Sequence, residues 1–318
     1  MFTSSEAHAR GAQAAVGAVG IAVVAASLFP GGDYAASLFV WVAINVLLTA
    51  SFRFVLLMGE LNFAIAGFVG VGAYAAAVAT TMYGLPFAAS LAIAFVVAGL
   101  SSAVFGAITL RAKGPYFMLI SFAFTEVLRL IYSQVDALGG NSGMVGIFPP
   151  DALARFYPTF VVLVVLALVG LLYRLERSDF GKTLEAIRGN DALVQSVGLG
   201  VHRIKVLCFV VSSSLAGLAG ALLAHANNVI SPGDFGFLLA VFTLAYLKVG
   251  GERHLLGAVL GAVALTLLAQ YALGFGAYEH IFYGAAIVVG VLLLPRGLHG
   301  ALAAGWSRLF GRAGAGGA

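Results

Sequence analysis

Long apolar stretches follow one another along most of the chain, and they constrain the fold more than any other feature. A helix needs roughly 20 apolar residues to cross the hydrocarbon core of a bilayer. A succession of apolar stretches of about this length predicts an all-α integral membrane protein with about ten transmembrane helices. Two stretches are atypical, since 61–83 begins near polar Asn62 and 235–249 is short enough to be tilted or partly re-entrant. The predicted spans are 11–30, 35–58, 61–83, 85–110, 115–132, 158–175, 204–226, 235–249, 254–274 and 279–295.

The composition supports a membrane protein and excludes several other classes. Of the 318 residues, 61 % are hydrophobic and only 9 % are charged, whereas a soluble domain carries about 25 % charged residues. The net charge of +4 comes from basic residues scattered at segment ends, so it does not indicate a nucleic-acid surface. The single cysteine, Cys208, excludes a disulfide within the chain and suggests no metal cluster. Residues 11–29 resemble a signal-peptide core, but the spans that follow favour an uncleaved first helix.

The positions of the basic residues predict the orientation of the chain. Cytoplasmic ends of membrane helices carry an excess of Lys and Arg. With ten spans and a cytoplasmic N-terminus, all 17 Lys and Arg residues lie at cytoplasmic ends except Arg129, within a span, and Arg155, outside. We therefore expect an N-in, C-in topology. Residues 1–300 form a single transmembrane domain in this interpretation, and the cytoplasmic tail 301–318 is disordered at its end.

A polar run at residues 174–205 separates two apolar spans. It contains good helix formers, and Glu185 can pair with Arg188 across one helical turn. A second short helix is predicted from about Asp191, as its N-cap, and ends near Gly198. The run could be a plain solvated connector, but connectors of this length without a function are uncommon. We expect a compact, two-helix surface feature on the cytoplasmic side that contacts another protein.

Three polar residues within the predicted spans are candidates for lining a solute route. Glu126 and Arg129 share one face of a helix, because they are three residues apart. They either form an internal ion pair or line the route of a polar substrate, since ionisable groups rarely face lipid. Asn62 precedes a glycine-rich stretch, which favours close helix packing or, alternatively, places Asn62 on the same route.

Sequence patterns for catalysis or cofactor binding are missing from this chain. It has no Ser/His/Asp set, no metal-spaced histidine cluster and no dinucleotide fingerprint. The run 181–183 resembles the end of a phosphate-binding loop, but Glu176 stands where that motif requires glycine. We therefore expect no cofactor in this chain and no enzymatic activity of its own.

Short runs spread over residues 50–300 resemble, in order and spacing, the permease subunits of branched-chain amino acid ABC importers, the LivM-type subunit in particular. The polar run contributes the most specific part of this resemblance. The matching runs are 177–182, 185–191, Arg203 with Lys205, 215–221, 59–63, 70–74, 111–117 with Glu126 and Arg129, 139–143, 249–251, 256–261 and 294–298.

The resemblance implies a fold like that of type II ABC importers, in the inner membrane of a bacterial cell. A second, LivH-type permease would complete the membrane core, two ATPase subunits would bind ATP and Mg²⁺, and an extracytoplasmic binding protein would deliver the solute. The main docking loop of such importers joins the sixth and seventh spans, as the polar run does here. The expected docking residues are Glu185, Ala186, Arg188, Asn190 and Asp191, with Gly198 turning the chain away from the loop.

Departures from the family pattern bear on the substrate. Gly189 stands where an acidic residue is common, and Glu60 stands where glutamine is frequent. Branched-chain amino acids are the family default, while related permeases carry urea, amides or aromatic acids. Two other hypotheses remain open at this point: a secondary transporter with Glu126 as its proton-coupling acid, and an intramembrane enzyme or receptor.

Overall fold

A computed structural model describes Val24, Ser27 and residues 32–294 and 297–301. The predicted first span 11–30, apart from those two residues, and the tail beyond position 301 lie outside the described part. Residues 32–294 contain twelve α-helices and one pair of two-residue strands. The helices are α1 (Asp33–Leu56), α2 (Ile65–Thr81), α3 (Phe87–Thr109), α4 (Pro115–Gln134), α5 (Asp151–Ala154), α6 (Tyr157–Arg177), α7 (Asp179–Gly189), α8 (Asp191–Ser196), α9 (Val201–Asn227), α10 (Phe237–Gly250), α11 (Leu255–Ala272) and α12 (Glu279–Leu293).

Each of the nine predicted spans after the first overlaps one of the nine longest helices. Six of these helices, α1, α3, α4, α6, α9 and α11, are long and apolar enough to cross a membrane. The other three are shorter, with 17 residues in α2, 14 in α10 and 15 in α12. The all-α membrane class is therefore confirmed, while the count of ten spans and the N-in, C-in orientation stay predictions.

Helix α9 forms the centre of the bundle, where it packs against α1, α2 and α3. Small residues permit this close packing, because a Cβ on Gly72 of α2 would overlap the backbone of Gly217 on α9. Phenylalanine rings fill space between the same helices. The ring centre of Phe209 on α9 lies 5.6 Å from that of Phe68 on α2 and 5.8 Å from that of Phe105 on α3. The core thus positions α2 and α3 tightly on α9.

A non-helical connector of residues 57–64 joins α1 to α2, and it is mostly buried in the bundle. Gly59 has a φ of +89°, a backbone conformation that side chains disfavour. The helix therefore begins at Ile65, four residues later than the predicted span boundary at position 61. This break places the polar residues Glu60 and Asn62 inside the protein on irregular backbone, which membrane proteins tolerate only where it is covered by protein or lines a cavity.

A second irregular segment precedes α10. Strand β1 (Met144–Val145) pairs antiparallel with β2 (Val229–Ile230), and a 3₁₀ helix (Pro232–Phe235) follows. Phe235 is buried, and its ring lies 5.9 Å from that of Tyr74. At 1.5 Å per residue, α10 is only about 21 Å long, which is shorter than the roughly 30 Å hydrocarbon core. The short predicted span 235–249 is thus a short helix that follows a 3₁₀ turn with buried Pro232 and Phe235.

Candidate coupling surface and polar centre

Helices α7 and α8 form a compact feature of residues 179–196, here called the knob. They fold against each other because Ile187 of α7 and Val194 of α8 are buried together with Val201 at the start of α9. Gly198 follows the knob with a φ of +85°, so it turns the chain into α9 as predicted. The two predicted helices of the polar run are therefore present.

The N-cap of α8 is Asn190, and the prediction of Asp191 as the cap was wrong. Asn190 has an extended backbone, and its Oδ1 accepts hydrogen bonds from the backbone N–H groups of Ala192 (3.0 Å) and Leu193 (3.2 Å). Asp191 is the first helical residue, and its carboxylate turns towards two lysines instead. The cap frees Asp191 for these ion pairs.

The outer face of the knob is exposed. Glu185, Ala186 and Arg188 of α7 are all exposed, and no ion pair joins Glu185 to Arg188 in the described part of the chain, so that predicted pair was wrong. Arg188 instead packs over Gly59, where an added Cβ would lie 3.3 Å from its Cγ. Beside these residues, α8 and the following turn expose apolar side chains at Leu193, Val197 and Leu199.

A cluster of four charged side chains lies at the base of the knob. Lys205 Nζ lies 3.4 Å from Glu60 Oε1 and 3.2 Å from Asp191 Oδ2, and Lys113 Nζ lies 2.7 Å from that same Asp191 oxygen. The side chains of Lys205 and Glu60 are each 5 % exposed, whereas that of Lys113 is 68 % exposed. The backbone N–H of Gly114 donates to Glu60 Oε2 (3.0 Å). The cluster thus joins the knob to α9 and to two connectors.

The charges of this cluster set the ionisation of Asp191. Burial raises the pKa of its carboxyl, but hydrogen bonds and attraction from Lys113 and Lys205 outweigh burial and hold the pKa below the ordinary value. The same pairing raises the pKa of Lys113. A cleft of about 340 Å³ opens beside these groups, between the knob and the α1–α2 connector. At neutral pH the knob is therefore held to the bundle by ionised groups.

Sequence reasoning did not identify Glu60, Lys113 and Lys205 as members of one site. Glu60 and Lys205 are 145 positions apart. The one sequence feature that they share is their position near the end of an apolar stretch. The fold brings these ends together at the same end of the bundle.

The residues predicted to line a solute route occupy two places. Glu126 Oε2 accepts a hydrogen bond from Arg129 Nε (2.7 Å), and Glu126 Oε1 accepts one from the backbone N–H of Phe237 (3.2 Å). The predicted ion pair therefore forms, and it also caps the N-terminus of α10. Asn62 is fully buried in the α1–α2 connector, and neither of its amide atoms has a hydrogen-bond partner among the described residues.

An apolar pocket of about 230 Å³ lies next to the Glu126–Arg129 pair. Phe237 connects the two, because its ring lines the pocket while its N–H donates to Glu126. Its lining residues are Phe63, Met118, Leu119, Phe122 and Phe237. Within the described ranges, no group of three or more His, Cys, Asp or Glu residues could hold a metal ion.

Comparison with known proteins identifies the family. Residues 34–292 match the family described as "Branched-chain amino acid transport system / permease component". The high-affinity branched-chain amino acid transport system permease protein LivM of Escherichia coli (strain K12) is 30 % identical over 272 residues, which are 76 % of this chain and 64 % of that protein. This chain therefore spans somewhat less than two thirds of the length of that relative.

More distant relatives carry other names. The probable branched-chain amino acid transport permease protein LivH of Methanocaldococcus jannaschii is 27 % identical, over 75 % of this chain and 82 % of that protein. The ribose import permease protein RbsC of Haemophilus influenzae is 21 % identical, over 79 % of this chain and 81 % of that protein. The resemblance inferred from the sequence is confirmed, and the chain belongs to the branched-chain amino acid transport permease family as an ABC-type membrane permease.

Proposed function

We propose that this chain is a permease subunit of an ATP-driven importer in a bacterial inner membrane. It moves branched-chain amino acids, or a related small polar solute such as urea, an amide or an aromatic acid, into the cytoplasm by alternating access. A second, LivH-type permease completes the core, two ATPases bind ATP and Mg²⁺, and an extracytoplasmic binding protein supplies the solute. The names of the LivM and LivH relatives support this assignment.

The exposed face of the knob is the observation that carries the proposal. It combines the charges of Glu185 and Arg188 with the exposed apolar side chains of Leu193 and Val197, which are 66 % and 73 % accessible. Neither charged group pairs with the other in the described part of the protein. Exposed apolar side chains bordered by charged residues on a surface mark a protein contact. We assign this face to docking of an ATPase subunit, with Ala186, Asn190 and Asp191 supporting it.

The solute route is assigned to the polar centre. An ion pair within a membrane helix is costly in lipid, so the half-exposed Glu126 and Arg129 face a water-filled route or a neighbouring subunit. The side-chain amide of Asn62 is buried and has no hydrogen-bond partner among the described residues, which is uncommon in folded proteins. A passing solute, or water that accompanies it, would provide the missing hydrogen bonds. ATP-driven closure of the ATPases would move the knob as a rigid body and tilt the spans around these residues.

Charge reversal on the knob tests the docking assignment. In the assembled importer, Glu185→Lys and Arg188→Glu should each lower ATP-dependent uptake of labelled leucine by about tenfold, because reversal places like charges across the contact. Arg111→Glu is the matched control, since Arg111 is also exposed and lies off the knob. Co-purification with the second permease should stay normal in all three variants. Normal uptake in both knob variants would contradict the assignment.

The solute is tested separately from the docking. Calorimetric titration of the purified binding protein with leucine, urea, a short amide and an aromatic acid should show saturable heat for the transported class. Binding of a sugar alone would place the chain with the ribose-type relatives instead.

A further inference from the structure

Lys205 lies between two carboxylates that belong to different structural elements. It lies at the start of the second turn of α9 and contacts Glu60 on the α1–α2 connector and Asp191 on the knob. Its side chain is only 5 % exposed, so its ammonium group depends mainly on these two carboxylates for charge compensation. A buried ammonium group is stabilised only while its partners stay in place. The geometry therefore opposes any movement that separates the knob from the connector.

Glu60 extends this connection to the polar centre. It is two positions from Asn62 along a buried, non-helical backbone. The next residue, Phe63, stacks on Phe237 at a ring distance of 5.4 Å, and its carbonyl accepts a hydrogen bond from Thr125 Oγ1 (3.0 Å). A displacement of Glu60 thus reaches the side chains at the start of α10 and in the middle of α4. The connector is short enough to transmit it directly.

Lys113 provides an internal comparison. It binds the same oxygen of Asp191 at the shorter distance of 2.7 Å, but its side chain is 68 % exposed. Exposed ion pairs contribute little, because water and salt screen them. Lys113 therefore resembles Lys205 in partner and charge and differs from it in burial.

We infer that Lys205 is a positioning residue that makes the knob and the α1–α2 connector move as one body, so that movement of the knob displaces Asn62. The inference rests on the proposed function, since it requires that something moves the knob. It adds Glu60 and Lys205 to the residues on which transport depends. Movement of the knob displaces Asp191, and the contacts of Lys205 pass this displacement to Glu60 on the connector.

The first experiment uses the purified full chain without any ATPase. Spin labels on cysteines introduced at exposed Ser196, in the knob, and exposed Arg253, in the α10–α11 loop, report the position of the knob, while native Cys208 is buried and stays unlabelled. Lys205→Met should broaden the distance distribution between the labels, whereas Lys205→Arg, which keeps the charge, and Lys113→Met should leave it narrow. An unchanged distribution in Lys205→Met would overturn the inference.

The second experiment measures coupling in the assembled importer in liposomes. Lys205→Met should lower the leucine transported per ATP hydrolysed by about tenfold, with ATP hydrolysis itself within about threefold of the wild-type rate. Glu60→Gln should act likewise, and the double variant should be no worse than either single one, because both remove one connection. Lys205→Arg should recover the ratio and Lys113→Met should keep it.

The two experiments separate the possible failures. A proportional fall in uptake and ATP hydrolysis in Lys205→Met would show a merely structural residue and would overturn the inference. A wild-type protein without ATP-dependent uptake would contradict the proposed function, while the label distances would still decide whether Lys205 fixes the knob.

Discussion

Arg53 and Glu176 form a bidentate ion pair between α1 and the last turn of α6. Arg53 Nη1 lies 2.7 Å from Glu176 Oε2, and Nη2 lies 2.7 Å from Oε1. Arg53 also donates to the backbone carbonyls of Glu252 (2.9 Å) and Arg253 (2.8 Å) in the α10–α11 loop. Its side chain is 2 % exposed. One guanidinium therefore ties three parts of the bundle together at the end that carries the knob.

Removal of the Glu176 carboxylate should destabilise the protein strongly. Glu176→Ala leaves the buried Arg53 charge without its anion, which costs about 3–5 kcal/mol when one partner of a buried pair is deleted. Thermal unfolding of the purified chain in detergent should show a clearly lower Tm. Glu185→Ala, at an exposed position, should change stability by less than about 0.5 kcal/mol. Equal Tm values for the two variants would contradict the role of this pair.

The geometry of the pair can be tested apart from its charge. Arg53→Lys keeps a cation but cannot present two parallel N–H groups to a carboxylate. We expect this variant to unfold at a temperature between those of the wild type and Glu176→Ala. Full retention of Tm would show that charge alone holds these helices.

Glu126 distinguishes an ATP-driven importer from a proton-coupled transporter. Both of its carboxylate oxygens accept hydrogen bonds, from Arg129 and from the N–H of Phe237. In Glu126→Gln the amide oxygen can still cap α10, and a half-exposed ion pair is worth little. Uptake of leucine should therefore fall by no more than about fivefold and stay insensitive to a protonophore. Uptake that collapses with the proton gradient in the wild type and is abolished in Glu126→Gln would favour the secondary transporter.

Local patterns predicted the helices well and their ends less well. Apolar length predicted the nine long helices that the structure describes, six of which are long and apolar enough to cross a membrane, and a run of good helix formers predicted the knob. The cap of α8 was misplaced by one residue because Asn190 and Asp191 are adjacent and both cap helices well. Only the fold shows that Lys113 and Lys205 draw the side chain of Asp191 away from the helix N-terminus.

Long-range contacts were beyond sequence patterns. Lys205 and Glu60 are in contact although they are 145 positions apart in the sequence. The residues next to each one do not indicate that the other is its partner. The pairing of Glu185 with Arg188 failed for a similar reason, because Arg188 packs over distant Gly59. Helical spacing permits such a pair, but competing tertiary contacts decide whether it forms.

The ionisation of Asp191 predicts how the position of the knob depends on pH. Its pKa is depressed in the folded protein, so its contribution to knob attachment is complete above the ordinary value of 3.8 and is lost as pH falls through the lower folded pKa. The distance between labels at Ser196 and Arg253 should be constant from about pH 5 to pH 8 and should broaden below about pH 4.

A variant without this carboxyl provides the control for the pH experiment. Asp191→Asn should show the broad distribution at every pH, because its amide cannot be protonated in this range. A knob that loosens between pH 5 and pH 8 in the wild type would contradict the assigned ion pairs.

Helix packing at Gly72 should depend on the absence of a side chain. A Cβ at this position would overlap the backbone of Gly217, so Gly72→Ala must push α2 away from α9. We expect a destabilisation of about 1–3 kcal/mol, as for overpacked cores, measured as a lower Tm in detergent. Gly170→Ala on α6 is the matched control, since nothing lies within 4 Å of its added Cβ. Alanine also favours the helix over glycine, so the control should be unchanged or slightly stabilised. A similar Tm for both variants would show that α2 and α9 have room to separate, and that their close packing is not what fixes α2 in the bundle.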